Sequence, residues 1–284
     1  MGRLSLALLS VSLAIGLSGR PALAVNEGTV DDGTPAKHPN VGMVVVVMRH
    51  GEPIEPFPVG SVTLISPRVA LTAAHITVES QRVFDLGLGV LSDARISFGV
   101  DPMDPSTWLE IESMWTHPDA NFDVGFGAAV PNDVGAFILK EPVVGITPVT
   151  LAPVGFLDAL KASGALREDA PITVVGYGAQ RTPPPVHDVV NATLRRFGEC
   201  VFGGFTKGWV TLLQNPMAGQ GGGANNGDSG GGAFWTDPAT GALTQIGVAS
   251  TANDTSKNQY TRVDVPDVRA FIDAVLAASD DDDD

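Results

Sequence analysis

The 284-residue chain has a single cysteine, Cys200, so no intramolecular disulfide can form and stability must come from a packed core. Basic residues are also scarce: 17 Lys and Arg stand against 32 Asp and Glu, a formal charge of −15. Such a surface repels phosphate backbones and anionic headgroups, which excludes nucleic acids and membrane surfaces as partners. Beyond the first 24 residues no apolar run approaches the roughly 20 residues needed to cross a bilayer. The sequence shows no His/Cys spacing of the metal-ligand kind, no phosphate-binding loop between a strand and a helix, and no internal repeat. No metal or other cofactor is expected.

Glycine (33) and proline (21) are plentiful, and valine dominates the apolar runs. That balance predicts many short strands joined by turns, an all-β protein of one large unit or two domains of about 120 residues. Strands are expected at Val41–Arg49, Val59–Ser66, Arg68–Thr72, Val90–Val100, Leu109–Trp115, Ala136–Lys140, Pro171–Gly178, Val210–Asn215 and Leu243–Ser250. Phe156–Leu166 has helical spacing. A final helix should start near Pro266, a favoured first-turn residue, with Val265, Val268, Phe271, Ile272, Val275 and Leu276 on one face.

Residues 1–24 have the form of an export signal: Arg3, an apolar stretch from Leu4 to Leu17, and Ala22-Leu23-Ala24 as a small-x-small cleavage site. A secreted or periplasmic location follows as an expectation. Removal of the segment takes Arg3 and Arg20 with it and leaves 15 basic against 32 acidic residues, or −17. Asp280–Asp284 is a solvated acidic tail, with calcium attraction as a minor alternative. Asn191-Ala192-Thr193 and Asn253-Asp254-Thr255 are glycosylation sequons.

The chemistry concentrates in Gly227-Asp228-Ser229-Gly230-Gly231-Gly232. Glycines on both sides let a turn project the Ser229 Oγ while backbone N–H groups point at one spot, as acyl transfer requires. Leu71-Thr72-Ala73-Ala74-His75 sets a histidine just past a strand end. Asn132-Asp133-Val134-Gly135 leads an aspartate into an apolar strand. Asp123-Val124-Gly125 competes with it, but only Asp133 precedes a buried strand pattern, and a carboxylate must be buried to orient an imidazole. His38, His50, His117 and His187 default to structural or surface roles, and Cys200 to a buried or loop thiol.

These motifs, in the order His75, Asp133, Ser229, resemble those of the chymotrypsin/trypsin-like serine endopeptidases. Gly176-Tyr177-Gly178 and Tyr260-Thr261-Arg262-Val263 before a terminal helix are similar to that family too, and the resemblance runs from about Val30 to Ala278. It implies two antiparallel six-stranded β-barrels with the active site between them and a C-terminal helix. The N-terminal barrel, about 30–145, would hold His75 and Asp133; the C-terminal barrel, about 146–279, would hold Ser229. It further implies a His75/Asp133/Ser229 triad, an oxyanion hole from the amides of Gly227 and Ser229, and protein or peptide substrates; the sequence does not give the oligomeric state, for which a monomer is the expectation.

The primary pocket would lie near Gly223 and Ala224, where no acidic residue stands, so a preference for Arg or Lys is not expected. Ser250 would lie on the strand that pairs with substrate, Thr251 and Ala252 replace the family's aromatic-glycine pair, and Asn258 either narrows the pocket or offers a polar contact. Family logic pairs a freed amino terminus with Asp228. Val30-Asp31-Asp32-Gly33 resembles that terminus, which makes residues 25–29 a short pro-segment; equally, signal cleavage at Val25 suffices. The absence of cysteine beside His75, where Ile76 stands, departs from the family. A non-catalytic binding protein on the same fold is the alternative. An esterase of the α/β-hydrolase kind is excluded, because no histidine follows Ser229.

Overall fold

In the computed structural model the described residues are 25, 28–120, 132–168, 170–181, 189–190, 194–214, 223–253 and 257–280. Residues 1–24, read from sequence as an export signal, Asp123, the sequon at 191–193 and Asp281–Asp284 lie outside them. Among the described residues no helix is long and apolar enough to cross a membrane.

After β1 (Thr29–Val30), the first barrel is built from β2 (Val41–Arg49), β3 (Glu52–Leu64) and β4 (Val69–Thr72). Helix α1 (Ala74–Asp85) intervenes before β5 (Ala94–Ser97), β6 (Trp108–Thr116) and β7 (Gly135–Leu139). The six barrel strands close antiparallel in the order β2-β3-β4-β7-β6-β5. β8 (Thr150–Leu151) and α2 (Phe156–Ser163) connect to the second barrel. Its elements are β9 (Pro171–Gly176), the small hairpin β10 (Gln180–Arg181) and β11 (Val189–Val190), β12 (Arg196–Phe205), β13 (Trp209–Leu213), β14 (Gly232–Thr236), β15 (Leu243–Asn253) and β16 (Lys257–Arg262). Strands β9-β12-β13-β16-β15-β14 close on themselves, since β14 and β12 both pair with β9. Helix α3 (Pro266–Asp280) ends the fold. The chain thus has the two six-stranded antiparallel barrels and terminal helix that the motifs implied.

β2 is apolar along nearly its whole length because it is covered on both faces. Val44 joins the barrel core with Val62, Leu71, Ile96 and Phe137, while Val41, Met43 and Val45 pack on Val175, Tyr177 and Phe234 of the second barrel. α3 buries Val268, Phe271, Ile272 and Val275, the face its periodicity marked. Its far end returns to the first barrel: Arg68 donates to the carbonyls of Leu139 and Ser279 at 3.0 Å each.

Several elements differ from expectation. α1 is unexpected from the sequence, which marks no element after His75, and the Val90–Val100 run contracts to a 3-10 turn plus β5. β3 extends back through Pro53, Pro56 and Pro58, tolerated because the β2–β3 ladder shifts register there. β12, unexpected from sequence, is held by neighbours on both edges. β1, which spans the expected boundary between the pro-segment and the first barrel, pairs with β12 of the second.

The N-terminal arm that carries β1 is pinned by a buried ion pair, Asp31 to Arg195 at 2.9 Å. Arg195 also donates to the carbonyls of Val41 and Phe98 and to the hydroxyl of Tyr177, so one guanidinium ties the arm to both barrels. His38 is buried beside it, 4.9 Å from the Phe197 ring. Its pKa is lowered to about 4, chiefly by burial; the Asp31 charge opposes the shift, and the nearby Arg195 and Lys37 charges add to it. The unfolded chain binds this proton at about 6.5 and the folded chain only near 4. Stability is therefore full above 6.5 and falls as pH drops through 4, by about 3 kcal/mol for this site alone. Denaturant titrations at pH 7 and 4 should show that His38→Phe removes most of this acid sensitivity.

Candidate functional site

His75 is the second residue of α1, whose N-cap, Ala73, has no side chain able to cap the helix. The cap comes from across the barrel. The Asp133 Oδ1 accepts the His75 backbone N–H at 2.8 Å, and its Oδ2 pairs with the His75 Nδ1, also at 2.8 Å. One carboxylate thus satisfies an open helix amide, benefits from the positive end of the helix dipole and fixes the ring. Burial alone would raise the Asp133 pKa, but hydrogen bonds from the His75 ring, the Ser250 hydroxyl and the His75 amide hold it below its usual value. The Asp133 side chain is 4% exposed and that of His75 27%, so the acid is enclosed while the ring reaches solvent. With Nδ1 engaged by the carboxylate, Nε2 is the nitrogen left to exchange protons with a ligand.

Ser250, expected on a substrate-pairing strand, lies in β15 and donates its hydroxyl to Asp133 Oδ2. Asn132 steadies the same segment from behind, donating to Asp267 in the first turn of α3 at 2.9 Å.

The Ser229 turn is docked against the strands that lead to His75. Ser61, in β3, holds it twice: its amide donates to the Ser229 carbonyl at 2.7 Å and its Oγ to the Gly227 carbonyl at 3.1 Å. Thr72 Oγ1 in turn donates to the Ser61 carbonyl at 2.9 Å. Gly230 lies so close to Ser61, Thr72 and Ala73 that a Cβ there would overlap the Ser61 carbonyl and the Thr72 hydroxyl. On the other side the turn is tied to Ala249 of β15: the Gly230 amide donates to the Ala249 carbonyl at 2.9 Å, and the Ala249 amide donates to the Gly231 carbonyl at 2.8 Å. Ser61 escaped the sequence reading because nothing in Val59–Ser66 distinguishes its hydroxyl from any other strand residue.

Within the turn the amides of Asp228, Gly230 and Gly231 are spent on Asn225, Ala249 and Asp228 carbonyls. The amides of Gly227 and Ser229 donate to no acceptor among the described residues. Gly227 has a φ of 94°, the left-handed region in which a side chain would be strained.

Asp228 is enclosed beneath the turn. Oδ1 accepts the Gly178 amide at 2.7 Å and Oδ2 the Asn225 amide at 2.8 Å. A Cβ at Gly176 or Gly178 would overlap this carboxyl, which accounts for the glycines flanking Tyr177. The expected partner, Val30, is elsewhere: it pairs with Arg196 in the β1–β12 ladder. The residue that reaches Asp228 is Val25, whose backbone nitrogen donates to the carboxyl. Committing residues 29 and 30 to a strand leaves only the preceding segment free to enter the site.

The family model described as Trypsin matches residues 30–272. The chain belongs to the trypsin family. No curated protein sequence matches it. Membership makes it, in general terms, a relative of serine-type endopeptidases that hydrolyse protein or peptide bonds.

In this trypsin-family chain the region expected to form the primary pocket is crowded by amides. Asn258 is fully buried in β16, opposite Ala252 in the β15–β16 ladder. Oriented to satisfy both ends of its amide, it donates to the Ala224 carbonyl and accepts from the Ala224 N–H, each at 3.2 Å. Gln214 presses on Gly223 so closely that a Cβ there would coincide with its carboxamide.

Cys200 is buried in β12, and burial pushes its thiol up to about 12, so it is no nucleophile. His117, Asp119 and Asp267 bring ligand atoms within 4.8 Å of one another. The Asp119 amide donates to His117 Nδ1 at 3.2 Å, however, which in the neutral ring places the proton on Nε2, facing Asp267. That tautomer offers a cation no lone pair.

Proposed function

We propose that this chain is an exported serine endopeptidase that works through a Ser229–His75–Asp133 triad and an acyl-enzyme. The observation that carries the reading is the bidentate grip of Asp133 on His75, ring and backbone together, beside a Ser229 turn that Ser61 of β3 holds in place. Ser229 Oγ attacks the substrate carbonyl as His75 Nε2 takes its proton; the imidazolium then protonates the leaving amine. Asp133 holds the required tautomer and stabilises the charged ring. The unspent amides of Gly227 and Ser229 receive the oxyanion, a contribution of about 3–4 kcal/mol per donor in such sites. Water then repeats the sequence to release the acid. Nothing in the site favours the binding-only alternative.

For specificity, Asn258 narrows the pocket. Both polar ends of its amide are used by Ala224, so it offers no contact to a substrate, and with Gln214 it closes the floor. A small, uncharged P1 side chain is the substrate that fits. Profiling of the purified protein on a peptide library tests both points: Ala, Val, Ser or Thr should lead at P1, with Phe, Arg and Lys poorly cleaved. Asn258→Gly should raise kcat/KM for a Leu or Phe substrate by about tenfold or more. No hydrolysis of any peptide would sink the endopeptidase reading, and an unaltered P1 profile in the variant would sink the pocket assignment.

A further inference from the structure

The two unspent amides of the Ser229 turn belong to the peptide planes 226–227 and 228–229, with the plane 227–228 between them. In a trans peptide the carbonyl and the N–H point opposite ways, so whatever holds the carbonyl also aims the amide. The Asn226 carbonyl accepts the Ala179 amide at 2.5 Å, which fixes the direction of the Gly227 N–H. The Asp228 carbonyl accepts the Gly231 amide at 2.8 Å, which does the same for the Ser229 N–H.

The middle plane sets the angle between those two amides. It turns on Gly227, whose φ of 94° and missing side chain make it a free joint. One end of the plane is the Asp228 amide, which donates to the Asn225 carbonyl at 3.0 Å. The other is the Gly227 carbonyl, which accepts from the Ser61 Oγ at 3.1 Å. Of these holds, that one alone comes from a side chain, and it alone comes from the first barrel.

The hydroxyl is placed to do this. Ser61 is fully buried in β3, its amide bound to the Ser229 carbonyl at 2.7 Å and its carbonyl to the Thr72 hydroxyl at 2.9 Å. The Tyr177 amide donates to the same Oγ at 3.3 Å, so the oxygen accepts from one side and its O–H is left to point at Gly227. A single hydroxyl thereby joins β3, the residue just past β9 and the Ser229 turn.

We propose that Ser61 is a positioning residue for the oxyanion site: by holding the Gly227 carbonyl, its hydroxyl sets the angle at which the Gly227 and Ser229 amides meet the oxygen of the tetrahedral intermediate. The inference rests on the endopeptidase reading and deepens it. In Ser61→Ala both amide donors remain and the middle plane keeps its Asn225 contact, but the common aim of the donors loosens. The loss falls on the transition state, where the charge develops, and leaves substrate binding alone.

The test takes the mature wild type, Ser61→Ala and Ser61→Cys, the last a near-isosteric change that leaves a weak donor. On a peptide with Ala at P1, kcat should fall about 10- to 30-fold in both variants, short of the roughly 100-fold that outright loss of a donor costs, with KM within about twofold. A peptidyl trifluoromethyl ketone adds to Ser229 as a hemiketal whose oxyanion occupies the same site. Its pKa, followed by carbon-13 NMR, should rise by about one unit in the variants, the same tenfold read at equilibrium. The low-field proton resonance of His75 Nδ1 should stay at its wild-type position, since the Asp133 contacts are untouched; a loss of general order in the site would move it. Unchanged kcat in the folded variants, a change confined to KM, or a displaced His75 resonance with an unchanged hemiketal overturns the proposal. Should Ser61→Ala fail to fold, Ser61→Cys carries the same expectations. An active wild type with indifferent variants overturns the proposal alone. A folded wild type that neither hydrolyses peptide nor forms the hemiketal overturns the endopeptidase reading and the proposal with it.

Discussion

Substituting Ser229 by alanine is expected to lower kcat/KM on a peptide substrate by about 10⁵-fold or more, because the triad acts as a unit and loses nearly everything with its nucleophile. The loss should be confined to chemistry. Ser229 is only half-buried, and the contacts that dock its turn, from Ser61 to the 227 and 229 carbonyls, are backbone acceptors that alanine retains. A stability change within about 0.5 kcal/mol is therefore expected, as for substitutions that leave caps, core and networks intact. Steady-state kinetics and a denaturant titration on the same preparation separate the two effects. Equal hydrolysis by the variant would show that some other group attacks the substrate.

Asp133→Asn should cost about 10⁴-fold in kcat at neutral pH, by allowing the wrong tautomer and leaving the imidazolium without its counter-ion. It should also cost stability, unlike the serine variant, because Asp133 caps α1 through the His75 amide while accepting from Ser250. The pH dependence carries a definite sign. The folded pKa of Asp133 lies below its ordinary value, so its contribution is present above the unfolded value of about 3.8 and is lost as pH falls through the folded one. The gap in stability between the two proteins should thus be widest near neutrality and close below pH 4. Ser250→Ala removes one hydrogen bond to the same oxygen and should produce a smaller loss of activity in the same direction. A stability gap that persists unchanged at pH 3 would contradict the role given to the carboxylate.

The strands and the chemistry-bearing residues were legible because their signals are local: valine-rich runs bounded by glycine and proline, a serine between glycines, a histidine after small residues; the closure of the strands into two barrels came only from the family resemblance. What stayed hidden depends on distant partners. Helix α1 has no capping side chain at Ala73 and contains Thr77, Val78 and Ser80, which do not favour a helix; its cap is a carboxylate 58 positions away. β12 includes Gly198, Gly203 and Gly204, poor strand formers that only pairing with β9 and β13 holds extended. The hydroxyl of Ser250 could be placed on its strand but not on Asp133. Val30 was paired with Asp228 because Val30-Asp31-Asp32-Gly33 looks like a terminus, whereas the structure uses Asp31 to anchor the arm on Arg195 and sends the earlier Val25 inward.

The central claim is that Ser229 is an activated nucleophile, and a fluorophosphonate probe tests it most directly. Mature protein should be labelled stoichiometrically at Ser229, as found by peptide mapping, and labelling should vanish in Ser229→Ala and drop sharply in Asp133→Asn. A folded, correctly processed protein that takes up no label, or one labelled equally well without the Ser229 hydroxyl, would contradict the account.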